Sequence, residues 1–239
     1  MVRLRGRRPA GSGPAPASLE EWTPYAYRLA DEKLARWTPL LRPTVAPRRA
    51  RPSARVVTKL ALTTPDTSSR NLVLVLDALE KSRSETWYHV RLPMLPNNTT
   101  GWIEASDLGN LYRVDTHLYV DLEKLVATLK KDGRTVFSSR IGVGAASTPT
   151  PRGEFYVRGK LTKFNVPFYG PIVFGTSARS ASNTPEMKNW PGDGFIGVHG
   201  TSLPHLIPGR PSHGCIRMKN DDVLRLATLM PVGTPVTIR

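Results

Sequence analysis

Apolar runs in this chain are short, and turn-forming clusters cut them about every ten residues, a pattern that excludes long helices and favours many short strands. "ARVVTKLAL", "NLVLVLDALE", "TWYHVRLPM" and "TGWIEASDL" are separated by "TTPDTSSR", "KSRSE" and "LPNNTT". Further on, "HLYVDL", "GEFYVRGKL", "FIGVHG" and "TPVTIR" have the same character. "LVATLKK" and "TVFSSRIGVG" flank Lys131-Asp132-Gly133-Arg134, and an Asp-Gly pair between two such runs predicts a hairpin. "NDDVLRLATLM" departs from the pattern: Val223, Leu226, Ala227 and Met230 recur at helical spacing. Asn220 is the expected N-cap, with Asp221 and Asp222 in the positive first turn. The expectation is a mainly β chain with one short helix near its C-terminal end.

Three stretches follow from composition. Residues 1–52 are rich in Arg and Pro and read as a basic segment and linker, "TPLLRPTVAPRRARP" being extended. Within it, "SLEEWTPYAYRLADEKLARW" offers a short helix after Ser18, confined by Pro24 to the part beyond it. Residues 53–112 read as a small β-barrel with Trp87 and Trp102 in its core, and "NNTT", which holds two N-x-T sequons, as a polar hairpin turn. Residues 113–239 form a second unit.

Charge narrows the partners. The 239 residues carry 34 Lys and Arg against 19 Asp and Glu, a net +15 that favours polyanions or is simply a solvated basic surface. Much of the excess sits in "MVRLRGRRPA" and "LRPTVAPRRARPSAR", expected as tail and linker rather than a folded patch. Apolar runs fall short of the roughly 20 residues of a membrane span. "MVRLRGRR" resembles a charged leader, but no apolar stretch follows it, so the expectation is either that this segment does not export the chain or that the true start lies further upstream.

The single cysteine, Cys215, forms no internal disulfide. It lies in "RPSHGCIRM", with His213 two residues before it and His199 at the end of "FIGVH". A cysteine attacks as thiolate, so it needs a base within reach and a group that orients the base. Three prolines and three glycines between His199 and Cys215 allow the loop to fold back. Gly200 and Gly214 permit close backbone approach, and N–H groups at the Gly214 turn are candidates for holding an oxyanion. An inert buried thiol is the competing reading. His199, His205, His213 and Cys215 are legitimate zinc ligands, but their spacing fits no compact zinc motif, and no metal or cofactor is expected.

"HGT" followed by "SHGCIRM" resembles the active-site motif of the L,D-transpeptidase catalytic domain, also called the YkuD domain. The matching positions are His199-Gly200, Ser212-His213-Gly214-Cys215 and Arg217, and "IGVGAASTPTPRGEFYV" resembles the family's upstream segment. The resemblance covers residues 114–239. It implies that Cys215 is the nucleophile, His199 the base and acid, the Gly200 carbonyl the group orienting His199, and His213 with Gly214 the oxyanion region. It implies peptidoglycan stem peptides as substrate, with 3→3 cross-linking, and an extracytoplasmic location. An L,D-carboxypeptidase using water, and a non-catalytic wall-polymer binder, are the alternatives. Ser212, Arg217, Tyr169 and Trp190 are the candidate substrate contacts, with Gly170 and Phe174 as further pocket residues; Ser212 also reads as a turn residue. Trp87-Tyr88-His89-Val90-Arg91 and Gly101-Trp102-Ile103 resemble a bacterial SH3-like module, which commonly accompanies wall-acting domains. Anionic wall polymer is a further expected partner, nucleic acid is not, and a monomer is expected.

Overall fold

In the computed structural model, residues 22–64, 69–162, 166–181 and 194–239 are described. The expected run of short strands is present: β1 (Tyr25–Arg28), β2 (Ala35–Pro39), β3 (Thr44–Pro47), β4 (Val56–Leu60), β5 (Leu72–Glu80), β6 (Thr86–Arg91), β7 (Thr100–Glu104) and β8 (Tyr112–Val114). Five of them form a sheet in the order β7-β6-β5-β2-β8, β1 pairs with β5, and β3 pairs with β4 as a separate hairpin. The second unit follows with β9 (Thr116–Asp121), β10 (Val126–Lys131), β11 (Arg134–Arg140), β12 (Gly142–Gly144), β13 (Gly153–Leu161), β14 (Val173–Arg179), β15 (Phe195–His199), β16 (Gly209–Ser212), β17 (Ile216–Arg217), helix α1 (Asn220–Leu229) and β18 (Pro235–Ile238). Its ten strands run β11-β10-β9-β18-β13-β14-β15-β17-β12-β16. The β10–β11 hairpin turns at Asp132 and Gly133 with φ of 49° and 79°, the left-handed pair that an Asp-Gly turn supplies.

Two expectations fail N-terminal of residue 53. The helix expected after Pro24 is absent; Tyr25–Arg28 and Ala35–Pro39 are strands. β1 is antiparallel to the Asp77–Glu80 end of β5, and β2 to its Leu72–Val75 end. Helix propensity is a weak bias, and hydrogen-bond partners along β5 outweigh it. The segment expected as linker is likewise folded, since Leu40 and Ala46 are wholly buried and join the core of Val73, Val75, Val90 and Ile103. Trp87 is buried in the sheet, whereas Trp102 is half-buried and stacks on His89 at 4.9 Å.

β5 explains how the two units meet. Alternation points Val73 and Val75 to the first core, and Leu72 and Leu74 to the opposite face. There they pack with Ala35, Val114 and Tyr156. Tyr156 is fully buried and its hydroxyl donates to the Leu72 carbonyl at 3.1 Å, which avoids an unsatisfied polar atom in the seam. The "NNTT" turn does more than close β6 onto β7. Asn97 Nδ2 donates to the Arg179 carbonyl (2.8 Å), Arg179 N–H donates to Asn97 Oδ1 (3.0 Å), and Glu154 N–H donates to Asn98 Oδ1 (2.7 Å). The turn is thus a clamp on the ends of β13 and β14.

α1 buries Val223 and Leu226 as its periodicity predicts. Its expected cap is different: Lys219 occupies the N-cap position, and Asn220 is the first helical residue. Asn220 Oδ1 instead accepts from Thr201 N–H at 2.9 Å, tying the helix to the loop after His199.

Candidate active site

The site is set by the parallel pairing of β15 with β17, in which Val198 is opposite Ile216 and His199 opposite Arg217. Adjacent strands lie about 4.8 Å apart and alternate residues share a face. His199 and Gly197 on one strand therefore align with Arg217 and Cys215 on the next. Met218 N–H donates to the His199 carbonyl at 2.8 Å and locks the register. His199 and Cys215, sixteen positions apart in sequence, line one narrow cavity of about 30 Å3 together with Phe168, Tyr169, Phe195, Ile196, Ser212, His213 and Arg217.

The Cys215 loop is held by a lattice of small polar side chains. Ser212 Oγ donates to the Cys215 carbonyl (2.6 Å) and accepts from Gly214 N–H (3.1 Å). Thr150 Oγ1 donates to the Gly214 carbonyl (2.7 Å) and accepts from Gly144 N–H (2.9 Å). Thr148 Oγ1 donates to the Ser212 carbonyl (3.3 Å). "ASTPTP" is thus the brace of the Cys215 loop. Gly214 has φ of +123°, and a Cβ there would meet Ile196 Cδ1 at 2.8 Å. Only glycine suits that position.

His199 is 1% exposed, and its Nδ1 lies 2.6 Å from the Gly200 carbonyl. A carbonyl only accepts, so Nδ1 carries the proton and Nε2 is left as the basic nitrogen. Burial lowers the imidazole pKa from 6.5 to about 4; the Gly200 and Tyr169 carbonyls oppose that shift and the Arg217 charge adds to it. The Tyr169 ring meets the imidazole edge-on at 4.9 Å. Gly170 and Gly200 let their two turns pack together, since a Cβ on either would collide with Asn220 Oδ1.

Cys215 is partly exposed at the cavity but closely surrounded. Burial pushes its thiol above the ordinary value, against the Gly197 N–H that points at Sγ from 3.4 Å and the Arg217 charge. The resting pair is therefore neutral thiol and neutral imidazole. Alkylation of Cys215 by iodoacetamide is expected to be slow at pH 7 and to climb through and beyond pH 9. A plateau already reached near pH 6 would mean a preformed thiolate–imidazolium pair instead.

The same burial makes the fold acid-sensitive. His117 is also lowered to about 4, by burial and by Lys130, and its Nε2 is 2.8 Å from Thr237 Oγ1. Below pH 6.5 the unfolded chain takes up protons that folded His117 and His199 refuse. The part of the stability that these two histidines control should fall from pH 6.5 to about 4 and change no further below, by up to about 3 kcal/mol per histidine. Melting curves across that range test this, and His117→Gln should remove part of the loss.

Other expected contacts divide. Arg217 is 4% exposed, stacks over the Phe168 ring at 4.5 Å, and has no hydrogen-bond partner for Nε. His213 is exposed at the cavity mouth. Ser212 is spent on the loop. Gly214 N–H, an expected oxyanion donor, is bonded to Ser212 Oγ, whereas Cys215 N–H has no hydrogen bond among the described residues. Phe174 is wholly buried in the second core and does not line the cavity. Trp190 lies outside the described residues. Gly197 and Phe168 were missed. Gly197 acts through a backbone N–H that any residue has, so sequence carries no signal for it.

A cysteine lining the same cavity as a histidine whose Nδ1 is held by the next residue's carbonyl is an arrangement suited to cysteine acyl transfer. Residues 115–238 match the family model described as the L,D-transpeptidase catalytic domain, YkuD, and the chain belongs to that family. It is 35% identical over 131 residues to the putative L,D-transpeptidase YkuD of Bacillus subtilis, covering 55% of this chain and 70% of that one. It is 36% identical over 119 residues to the Bacillus licheniformis protein of the same name, covering 50% of this chain and 62% of that one. The solution structure of the catalytic domain of the E. faecium L,D-transpeptidase aligns with a TM-score of 0.40 at 25% identity, over 52% of this chain and 97% of that one.

Proposed function

We propose that this protein is an extracytoplasmic peptidoglycan L,D-transpeptidase. The observation that carries the reading is the Cys215, His199 and Gly200-carbonyl arrangement within a domain of this family. His199 Nε2 takes the thiol proton as Sγ attacks the carbonyl between the diamino acid and the terminal D-Ala of a stem tetrapeptide. Cys215 N–H is the free donor for the oxyanion, with His213 beside it. The imidazolium formed is stabilised by the Gly200 carbonyl and returns its proton to the leaving D-Ala amine. The C–N bond breaks and a thioester remains. The side-chain amine of a second stem displaces Sγ, restoring the thiol and forming a 3→3 cross-link. The Arg217 guanidinium, lacking a partner at Nε, is suited to a stem carboxylate. The first unit, SH3-like in its sequence pattern, serves in this reading as an accessory wall-binding module of a monomer.

Incubation with a disaccharide-tetrapeptide, read by mass spectrometry, tests the reading. Cross-linked dimer with loss of D-Ala is the expected product. Tripeptide alone would make the protein an L,D-carboxypeptidase. No turnover by protein with a reduced, intact thiol would leave a non-catalytic binder, in which Cys215→Ser is harmless.

A further inference from the structure

Between Glu32 and Asp66 the chain carries eight basic residues and no acidic one. The folding of this stretch changes what that charge can do. β3 and β4 pair antiparallel, with Thr44 opposite Leu60 and Val45 opposite Lys59. The hairpin is anchored from below: Ala46 and Leu60 belong to the first core, and Ala54 is buried. Gly101 of β7 packs so closely that a Cβ there would meet Ala46 Cβ at 3.1 Å. Its connecting turns are hydrogen-bonded, from Arg48 N–H to the Arg55 carbonyl (2.9 Å) and from Ala54 N–H to the Arg51 carbonyl (3.1 Å). On this fixed base, Arg48, Arg49, Arg51 and Arg55 are all exposed, and none has an ion pair or side-chain hydrogen bond among the described residues. Arg42, at the foot of the hairpin, is by contrast neutralised by Asp107 at 3.1 Å.

We propose that the tip of the β3–β4 hairpin is a docking site for a flexible phosphodiester polymer of the polyol-phosphate kind, which holds the enzyme at the wall; this rests on the wall-acting function proposed above. Four guanidiniums in eight residues present paired donors suited to phosphate oxygens, where ammonium groups act only as point charges. Their ordered backbone lowers the entropy lost on binding. The tip from residue 48 to 55 is Arg, Ala, Pro and Ser. It has no aromatic platform for stacking nucleic-acid bases and no large apolar side chain to insert into a bilayer. A flexible phosphodiester chain without bases suits these features.

Binding of the full chain to poly(glycerol phosphate), to phosphatidylglycerol vesicles and to a single-stranded oligonucleotide, each over 50–300 mM salt, tests the proposal. Polymer binding should weaken with salt, as for other polyphosphate ligands. With Arg48, Arg49, Arg51 and Arg55 all changed to Gln, the slope of log affinity on log salt should drop by about 3, roughly 0.7 for each phosphate no longer neutralised. The corresponding four-Lys variant should keep most of the slope and lose affinity. Equal polymer binding by the wild type and the four-Gln variant overturns the proposal, as does binding to vesicles or oligonucleotide in preference to polymer. Turnover of the soluble disaccharide-tetrapeptide is read in parallel. It should be unchanged in the four-Gln variant, so a failed docking proposal and a failed enzymatic reading give different results.

Discussion

His199→Ala should slow thioester formation on Cys215 by roughly 10²–10⁴-fold, the range lost when a positioned general base is removed. The reason lies in the resting protonation state. Burial holds the thiol protonated and the imidazole neutral, so in the proposed mechanism the thiolate forms only as His199 takes its proton. A cysteine with a depressed pKa would survive loss of the base with a modest penalty; this one should not. Acyl-enzyme accumulation followed by mass spectrometry in single turnover measures the effect, with Cys215→Ala as the zero. The wild-type rate should fall as pH drops towards 4, where the imidazole becomes protonated. His213→Ala, at the exposed mouth, should leave alkylation of Cys215 intact and lower acyl transfer. An unimpaired His199→Ala enzyme would remove the general-base role altogether.

Gly214→Ala should cost most of the activity although it removes no functional group. At φ of +123° an L-residue is strained by about 1–3 kcal/mol, and its Cβ would press on Ile196 Cδ1. Ile196 is 2% exposed and backed by the second core, so the loop is the part that yields. A displacement of about 1 Å at Cys215 is enough to cost on the order of 10²-fold in rate. A soluble, folded Gly214→Ala protein whose turnover matches wild type would show that the loop tolerates the shift. Loss of activity with a melting point lowered by only a few degrees is the expected combination.

Much of the site was legible because its chemistry needs rare residue types at fixed spacing. One cysteine, a His-Gly pair and the Ser-His-Gly run leave few other readings. Alternation and turn residues likewise placed the hairpin at Asp132-Gly133 and the strand ending at His199. The misreadings have the same kind of cause. The Tyr25–Pro39 stretch has helix-compatible residues, and the Arg- and Pro-rich stretch after it looks like linker. The first becomes strands on β5, a partner more than thirty residues away, whose hydrogen-bonding edge outweighs local preference. The second is folded because β3 and β4 pair with each other and bury Ala46 and Leu60 in the first core.

Sequence by itself determined the strand-rich class and, through the motif around His199 and Cys215, the family, and it singled out those two residues as the expected base and nucleophile, because local pattern and side-chain chemistry are written residue by residue. Only the tertiary structure decided that Gly197 faces the thiol, that Gly214 N–H is taken by Ser212, that Asn220 braces the His199 loop instead of capping its helix, and that the arginines at 48–55 stand on a folded hairpin. Each of these depends on which backbone groups meet across strands, and hydrogen-bond partners and burial are properties of the packed chain that no short window of sequence contains.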